Sequence, residues 1–351
     1  MPCGCSKAGC FELYMLAPEN SSLMNCFVIK TPNNKIVVID GGGAGAGHDS
    51  ETYLPAAIRA ILGLKENAYF EVEAWFLTHG HNDHFYELAK LLNQYGTGFK
   101  YCNYKINNFY FDFPEFGDEW SSKSGKGDYN LDDLEILKDG LLNYYKQQGL
   151  IERSVSDNSL VYNQLNGAVI NREALAEGLS IEIDGVTFDI LKAFNGEDLN
   201  VNSTSIIIRM SCGGHSVLFL NDAYIDTGDW LLKNYTAEEL KSDYVQMAHH
   251  GQSGTSEEFY NAIDTKNSVR LWCTPYWVWD VYEADNGIKT DVTRSWLDLP
   301  ADPEEFLAEG LFETGNDIVA GKYELYPEDR HLTASWTKKV LMCQQVFSYK
   351  V

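Results

Sequence analysis

No stretch of this chain approaches the roughly 18 to 20 consecutive apolar residues that a membrane-spanning helix needs, so a helical membrane protein is not expected. The first residues, Met1 to Cys10, hold no apolar signal core, and a soluble, cytoplasmic protein is the expectation. Cysteine is sparse, with 8 in 351 residues. Cys26, Cys212 and Cys273 fall in apolar strand-like runs where a thiol behaves as a small hydrophobe, and Cys3, Cys5 and Cys10 lack the second paired spacing of a zinc module. Basic residues are also scarce, 27 Lys and Arg against 51 Asp and Glu, for a formal charge of -24. Such a surface repels polyanions at long range, which excludes a broad platform for duplex nucleic acid. The glycine-rich run Gly41 to Gly47 has neither a Gly-Lys-Ser/Thr ending nor the dinucleotide spacing, so a tight turn is expected there rather than a phosphate cradle.

What is present is a folded chain, 44% hydrophobic and 13% aromatic, long enough to bury a sizeable core. Cys26 to Asp40 reads as a hairpin around Pro32-Asn33-Asn34. Residues 51 to 64 and 131 to 148 have helical spacing, and 179 to 193 with 205 to 221 supply at least three strands. Between about 100 and 175 the pattern is irregular and crowded with aromatics, among them Tyr104, Phe109, Tyr110, Phe111 and Phe113. Two readings stand side by side for that insertion: a surface that grips substrate, or a helical cap packed on the main fold.

The most informative segment is Thr78 to His84, which places His79, His81, Asp83 and His84 between a strand-like run (Glu71 to Leu77) and a helical one (Phe85 to Leu92). Neutral imidazoles and a carboxylate suit a borderline divalent ion, and side chains two apart converge on one ion while the next pair turns to a second. A capping role with Asp83 near the N-cap accounts for one polar residue there, not for three histidines. In the second half, a strand from Ser216 ends at Asp222, and one from Asp243 ends at His249-His250-Gly251. All three segments carry their polar groups at a strand's C-terminal end, the edge where layered α/β proteins bind ligands. His215 stands at a hairpin turn, and His331 in a polar stretch; neither is a candidate.

On these residues the chain resembles the metallo-β-lactamase superfamily: His79 to His84 fits its H-x-H-x-D-H signature, Ile39-Asp40-Gly41-Gly42 its N-terminal hairpin, Asp222 its fourth metal motif and His249-His250 its fifth. Asn202 to Arg209, Asp222 and Ala248 to Ser253 are most similar to the soluble domain of bacterial competence (DNA-uptake) channel proteins and to related stand-alone hydrolases. The resemblance implies one αβ/βα sandwich over residues 1–351, two mixed sheets with helices outside. It implies two divalent ions, zinc first and manganese or iron as alternatives, with His79 and His81 on one, Asp83, His84 and one of His249 or His250 on the other, and Asp222 bridging. Asp40 is then placed to orient a histidine, and Asp83 and Asp222 to take part in catalysis. One departure stands out, because between His84 and Asp222 the sequence has only His215, and Asn202 with Ser203 or Ser205 occupies the place of the superfamily's further histidine. Water, substrate, an Asn or Ser oxygen, or one of the paired histidines is left to complete the His79/His81 position.

The chemistry so implied is hydrolysis by a metal-bound hydroxide, with a phosphoester or phosphodiester on a small or single-stranded substrate as the leading expectation. A lactone, thioester or other carbonyl substrate is the alternative within the same class. A metal-binding interaction protein without turnover is the alternative outside it.

Overall fold

Two periodicities written into the strands position everything else. In a computed structural model of the chain, residues 10–16, 23–43, 50–94, 103–113, 131–149, 175–194, 200–273, 293, 296–297, 317–319 and 343–350 are described. Along β2 (Phe27–Lys30) and β3 (Ile36–Ile39), Phe27, Ile29, Val37 and Ile39 face one core while Val28, Ile36 and Val38 face another. Every second side chain changes face, so a strand buried on both sides reads as a continuous apolar run.

Among the described residues the strands form two seven-stranded sheets. The first runs β14 (Cys343–Lys350), β1 (Cys10–Leu16), β2, β3, β4 (Phe70–Phe76) and β5 (Tyr104–Ile106), with β6 (Phe109–Tyr110) also paired to β4. Its β1, β2 and β3 are antiparallel to one another and β3, β4 and β5 parallel. The second runs β13 (Asp317–Val319), β12 (Val269–Trp272), β11 (Tyr244–Gln246), β10 (His215–Phe219), β9 (Ile207–Cys212), β8 (Val186–Lys192) and β7 (Ser180–Ile183), antiparallel from β7 to β10 and parallel onward. Both sheets are therefore mixed. A register shift against β3 skips Glu73 in β4, so Phe70 and Val72 face the helical side but Ala74 and Phe76 turn inward between the sheets.

The layers follow from the three cores. Phe27 meets Phe219 across the sheets with ring centroids 5.1 Å apart, and Phe76 meets Phe188 at 5.5 Å. Outside the first sheet lie α1 (Ser50–Ile61), α2 (Asn82–Asn93) and α3 (Leu131–Gln147), burying Tyr53, Ile58, Leu88, Leu92, Leu137 and Leu141. Outside the second lie α4 (Ile225–Asn234), the short α5 (Ala237–Leu240) and α6 (Glu257–Ala262), which contribute Leu231, Leu240, Phe259 and Tyr260. The result is the four-layer αβ/βα sandwich expected from the sequence.

The aromatic stretch resolves toward packing where it is described. Phe109, Phe111 and Phe113 are fully buried, Tyr104 nearly so, and Tyr110 stacks on Phe76 at 4.9 Å. Those rings build core rather than a surface for substrate. The first helix also stops earlier than its spacing implies, at Ile61, with Leu62 and Leu64 packed against the core from the turn that follows. The expectations for Cys3, Cys5 and His331 lie outside the described residues. Among the described residues no helix is long and apolar enough to cross a membrane.

Candidate metal centre

Four strand ends meet at one edge of the sandwich: those of β3, β4, β10 and β11. Asp40, directly after β3, adopts φ 62°, and its carboxylate turns back on the loop after β4. Its Oδ1 accepts the Thr78 N–H at 2.8 Å, and its Oδ2 accepts the Thr78 hydroxyl at 2.9 Å and the Asn25 amide at 2.7 Å. The same Oδ2 lies 2.6 Å from His84 Nδ1. A ring nitrogen that close to a carboxylate carries a proton, so Nε2 is the nitrogen that His84 turns to the opposite side and offers to an ion. Gly43 lets this loop approach α2, since a Cβ there would stand 3.2 Å from the Asp83 Cβ.

The cap of α2 leaves Asp83 and His84 to the site. His81 is the N-cap, with extended backbone and no side-chain cap bond, and Asp83 is the second helical residue. The imidazole at the cap is thereby free to face His79 instead of its own helix, and Asp83 and His84 project from the first turn. His79 Nε2 and His81 Nδ1 are 3.1 Å apart.

The second sheet supplies the other half. Asp222 follows the left-handed Asn221 (φ 50°) just past β10, with its backbone N–H on Ser205 Oγ at 3.3 Å. His250 follows β11 with φ 58°, next to His249 at φ 51°. Left-handed backbone at a residue with a Cβ costs about 1–2 kcal/mol, and two in succession mark a site where geometry outweighs local comfort. The consequence is a division of labour. His250 Nε2 points to Asp83 Oδ2 at 2.9 Å and to Asp222 Oδ1 at 3.5 Å, whereas His249 hydrogen-bonds through Nδ1 to Gln252 O at 2.6 Å and packs on Tyr224 at 5.0 Å.

Two groups of potential ligands result, each with atoms within 4.8 Å of one another: Asp83, His84, Asp222 and His250, and His79, His81 and Asp222. Asp222 belongs to both. Its Oδ1 lies 3.1 Å from His84 Nε2 and its Oδ2 3.7 Å from His79 Nε2. Of the expected residues, His249 stands outside both groups, Asp40 touches His84, and Ser205 supports Asp222. Asn25 and Thr78 were not foreseen; each is a lone polar residue at a strand end, with no pattern to distinguish it.

The electrostatics call for a cation. Burial works against charge on Asp222 and Asp83, yet His84 and His250 hold both carboxyls below the usual range. His84 is raised well above its ordinary value despite burial, by Asp222, Asp40 and Asp83, and His250 is likewise raised to about 9, chiefly by Asp222. His79 and His81, desolvated, are pushed down and stay neutral. The buried His84 Nε2, His250 Nε2 and Asp222 Oδ1 approach one another without forming a hydrogen bond. Unpaired buried donors and acceptors are costly, and ring nitrogens and a carboxylate oxygen that converge without pairing fit an ion that takes the place of the imidazole protons. Imidazole and carboxylate donors without thiolate suit zinc, manganese or iron.

Residues 23–152 match the family model described as the metallo-beta-lactamase superfamily, a span that includes His79 to His84 and ends before Asp222 and His250. No curated protein sequence matches the chain. Among solved structures, the metallo-beta-lactamase fold protein YhfI from Bacillus subtilis is similar over 75% of this chain and 85% of its own, at 12% identity and a TM-score of 0.39. A diphosphatase from the PhnP family is similar over 74% and 85%, at 13% identity and 0.37. Zinc-bound PqqB from Methylobacterium extorquens is similar over 68% and 71%, at 9% identity and 0.33.

Proposed function

We propose that this chain, an α/β sandwich of the metallo-β-lactamase fold, is a binuclear metal-dependent hydrolase of phosphoesters or phosphodiesters. The observation that carries the reading is Asp222, whose two oxygens face two different ligand groups. A structural ion needs one closed group of four; a shared carboxylate between two groups is the arrangement of two-metal hydrolytic sites. Divalent ions, when bound, lower the pKa of water toward roughly 7 and offset charge that builds on a phosphoryl group.

The chain's own residues do the positioning. His84, locked by Asp40, and His250 with Asp83 would hold one ion, His79 and His81 the other, and Asp222 would fix their separation. Asp83 is the most reachable carboxylate of the set, its side chain 18% exposed against 3% for Asp222. It is placed to accept a hydrogen bond from an attacking water and so to orient it. A net charge of -24 favours a small or single-stranded substrate over a duplex, because only the local field at the ions attracts an anion.

The test is hydrolysis of a chromogenic phosphodiester and of mono- and dinucleotides by protein as isolated, after chelation, and after zinc or manganese is restored. Turnover lost on chelation and recovered with metal is expected. Absence of turnover on every such substrate with both ions bound overturns the phosphoester reading.

A further inference from the structure

The two ligand groups are unequal. Asp83, His84, Asp222 and His250 give four donors, while His79, His81 and Asp222 give three, one protein donor fewer. A buried polar segment linked to the His79/His81/Asp222 position is the 3₁₀ turn Asn202–Thr204, followed by Ser205. The residues directly after it are tied to Asp222 and to the residue before His79, two of the three places where that group is anchored. The Ile206 N–H bonds to Thr78 O at 3.0 Å, directly before His79, and Ser205 Oγ accepts from Asp222 N.

The turn is also firmly held. Ser203 N–H reaches Asn200 Oδ1 at 3.0 Å, its hydroxyl reaches Asp226 Oδ2 at 2.6 Å, and its carbonyl accepts from the buried Lys192 Nζ at 2.7 Å. Thr204 bonds through its hydroxyl to Val201 O at 2.7 Å, and Ser205 N–H to Asn202 O at 3.0 Å. Within this network two buried oxygens have no hydrogen-bond partner, Asp226 Oδ1 and Asn202 Oδ1, and of these Asn202, 5% exposed, is the one on the turn itself. An orphaned buried amide oxygen is costly, and a turn so thoroughly bonded does not leave one by slackness.

We infer that Asn202 Oδ1 is the donor that completes the His79/His81/Asp222 position, making it a harder, more weakly held and more exchangeable metal site than its neighbour. This rests on the two-metal reading above. A neutral carbonyl oxygen contributes less to zinc affinity than an imidazole and suits manganese comparatively well. The two ions therefore bind in distinct steps, and the weaker step belongs to this position.

The test is titration of the chelated full-length protein with zinc and with manganese, by calorimetry and metal analysis. Wild type is expected to bind two equivalents in separable steps. Asn202→Ala is expected to weaken the second step tenfold or more and leave the first unchanged, Asn202→Asp to tighten the second, and Asn202→His to raise its preference for zinc over manganese. Because Asp is nearly isosteric with Asn, that variant reports even if Asn202→Ala folds poorly. Second-step affinities unchanged in all three variants overturn the assignment alone. A wild type that takes up only one equivalent overturns it together with the two-metal reading.

Discussion

Asp40 Oδ2 stands 2.6 Å from His84 Nδ1, with both side chains fully buried. That contact ties the end of β3 to the first turn of α2 and decides which nitrogen of His84 faces the site. Replacing Asp40 by Ala frees the ring to rotate and to change tautomer, and leaves Thr78 and Asn25 without their acceptor. Metal affinity is expected to fall about 10–100-fold, the usual cost of losing such an orienting partner. Calorimetric titration measures it; an affinity within twofold of wild type contradicts the role.

The paired histidines differ in what they face. His250→Ala is expected to lose the ion held with Asp83 and His84, while His249→Ala keeps full metal content, since its Nδ1 is engaged by Gln252 O. Metal analysis of the two purified variants decides between them, and the reverse pattern would exchange their assignments.

A raised imidazole has a definite signature in metal-free protein. His250 is held at about 9 when folded against roughly 6.5 unfolded, so folding favours its charged form. Its contribution to stability is complete below about pH 6.5 and is lost as pH rises through about 9. Metal uptake must displace that proton, so affinity should climb across the same interval and level off above it. Denaturant unfolding of the chelated protein at pH 6.5 and 9.5, paired with metal titration at both, measures the two trends. Stability of the metal-free form that increases between those values is the contrary result.

Phe76 joins the sheets through Tyr110 and Phe188. Phe76→Ala should destabilise the protein by about 3–5 kcal/mol through lost burial and the cavity left behind. Chemical denaturation reads this directly, and a loss under about 1 kcal/mol means the interface repacks.

Much of this was legible in the chain because the information is local. His79 to His84 lie in six residues between a strand and a helix, so their spacing alone places them at one strand end. Asp222 and His250 were legible as strand ends. The choice of His250 over His249 was not, because it depends on two successive left-handed residues that no hydrophobic pattern encodes. Asn25 and Thr78 were silent for a related reason: each acts through Asp40, 15 and 38 residues away. The aromatic run from Tyr104 to Phe113 left two readings open, since a ring bound for the core and a ring bound for substrate look alike until β5 and β6 are seen beside β4. The inversion of β4 at Glu73 is likewise a matter of register against β3, not of composition.

A single carboxylate serving two ions makes both depend on Asp222, and the metal content of Asp222→Ala beside wild type measures that dependence. Wild type should hold two divalent ions per chain and the folded variant close to none, because both ligand groups lose a shared member at once. A folded Asp222→Ala protein that still carries both ions, or a wild type that carries none after loading with zinc or manganese, rules out a carboxylate shared between two ions.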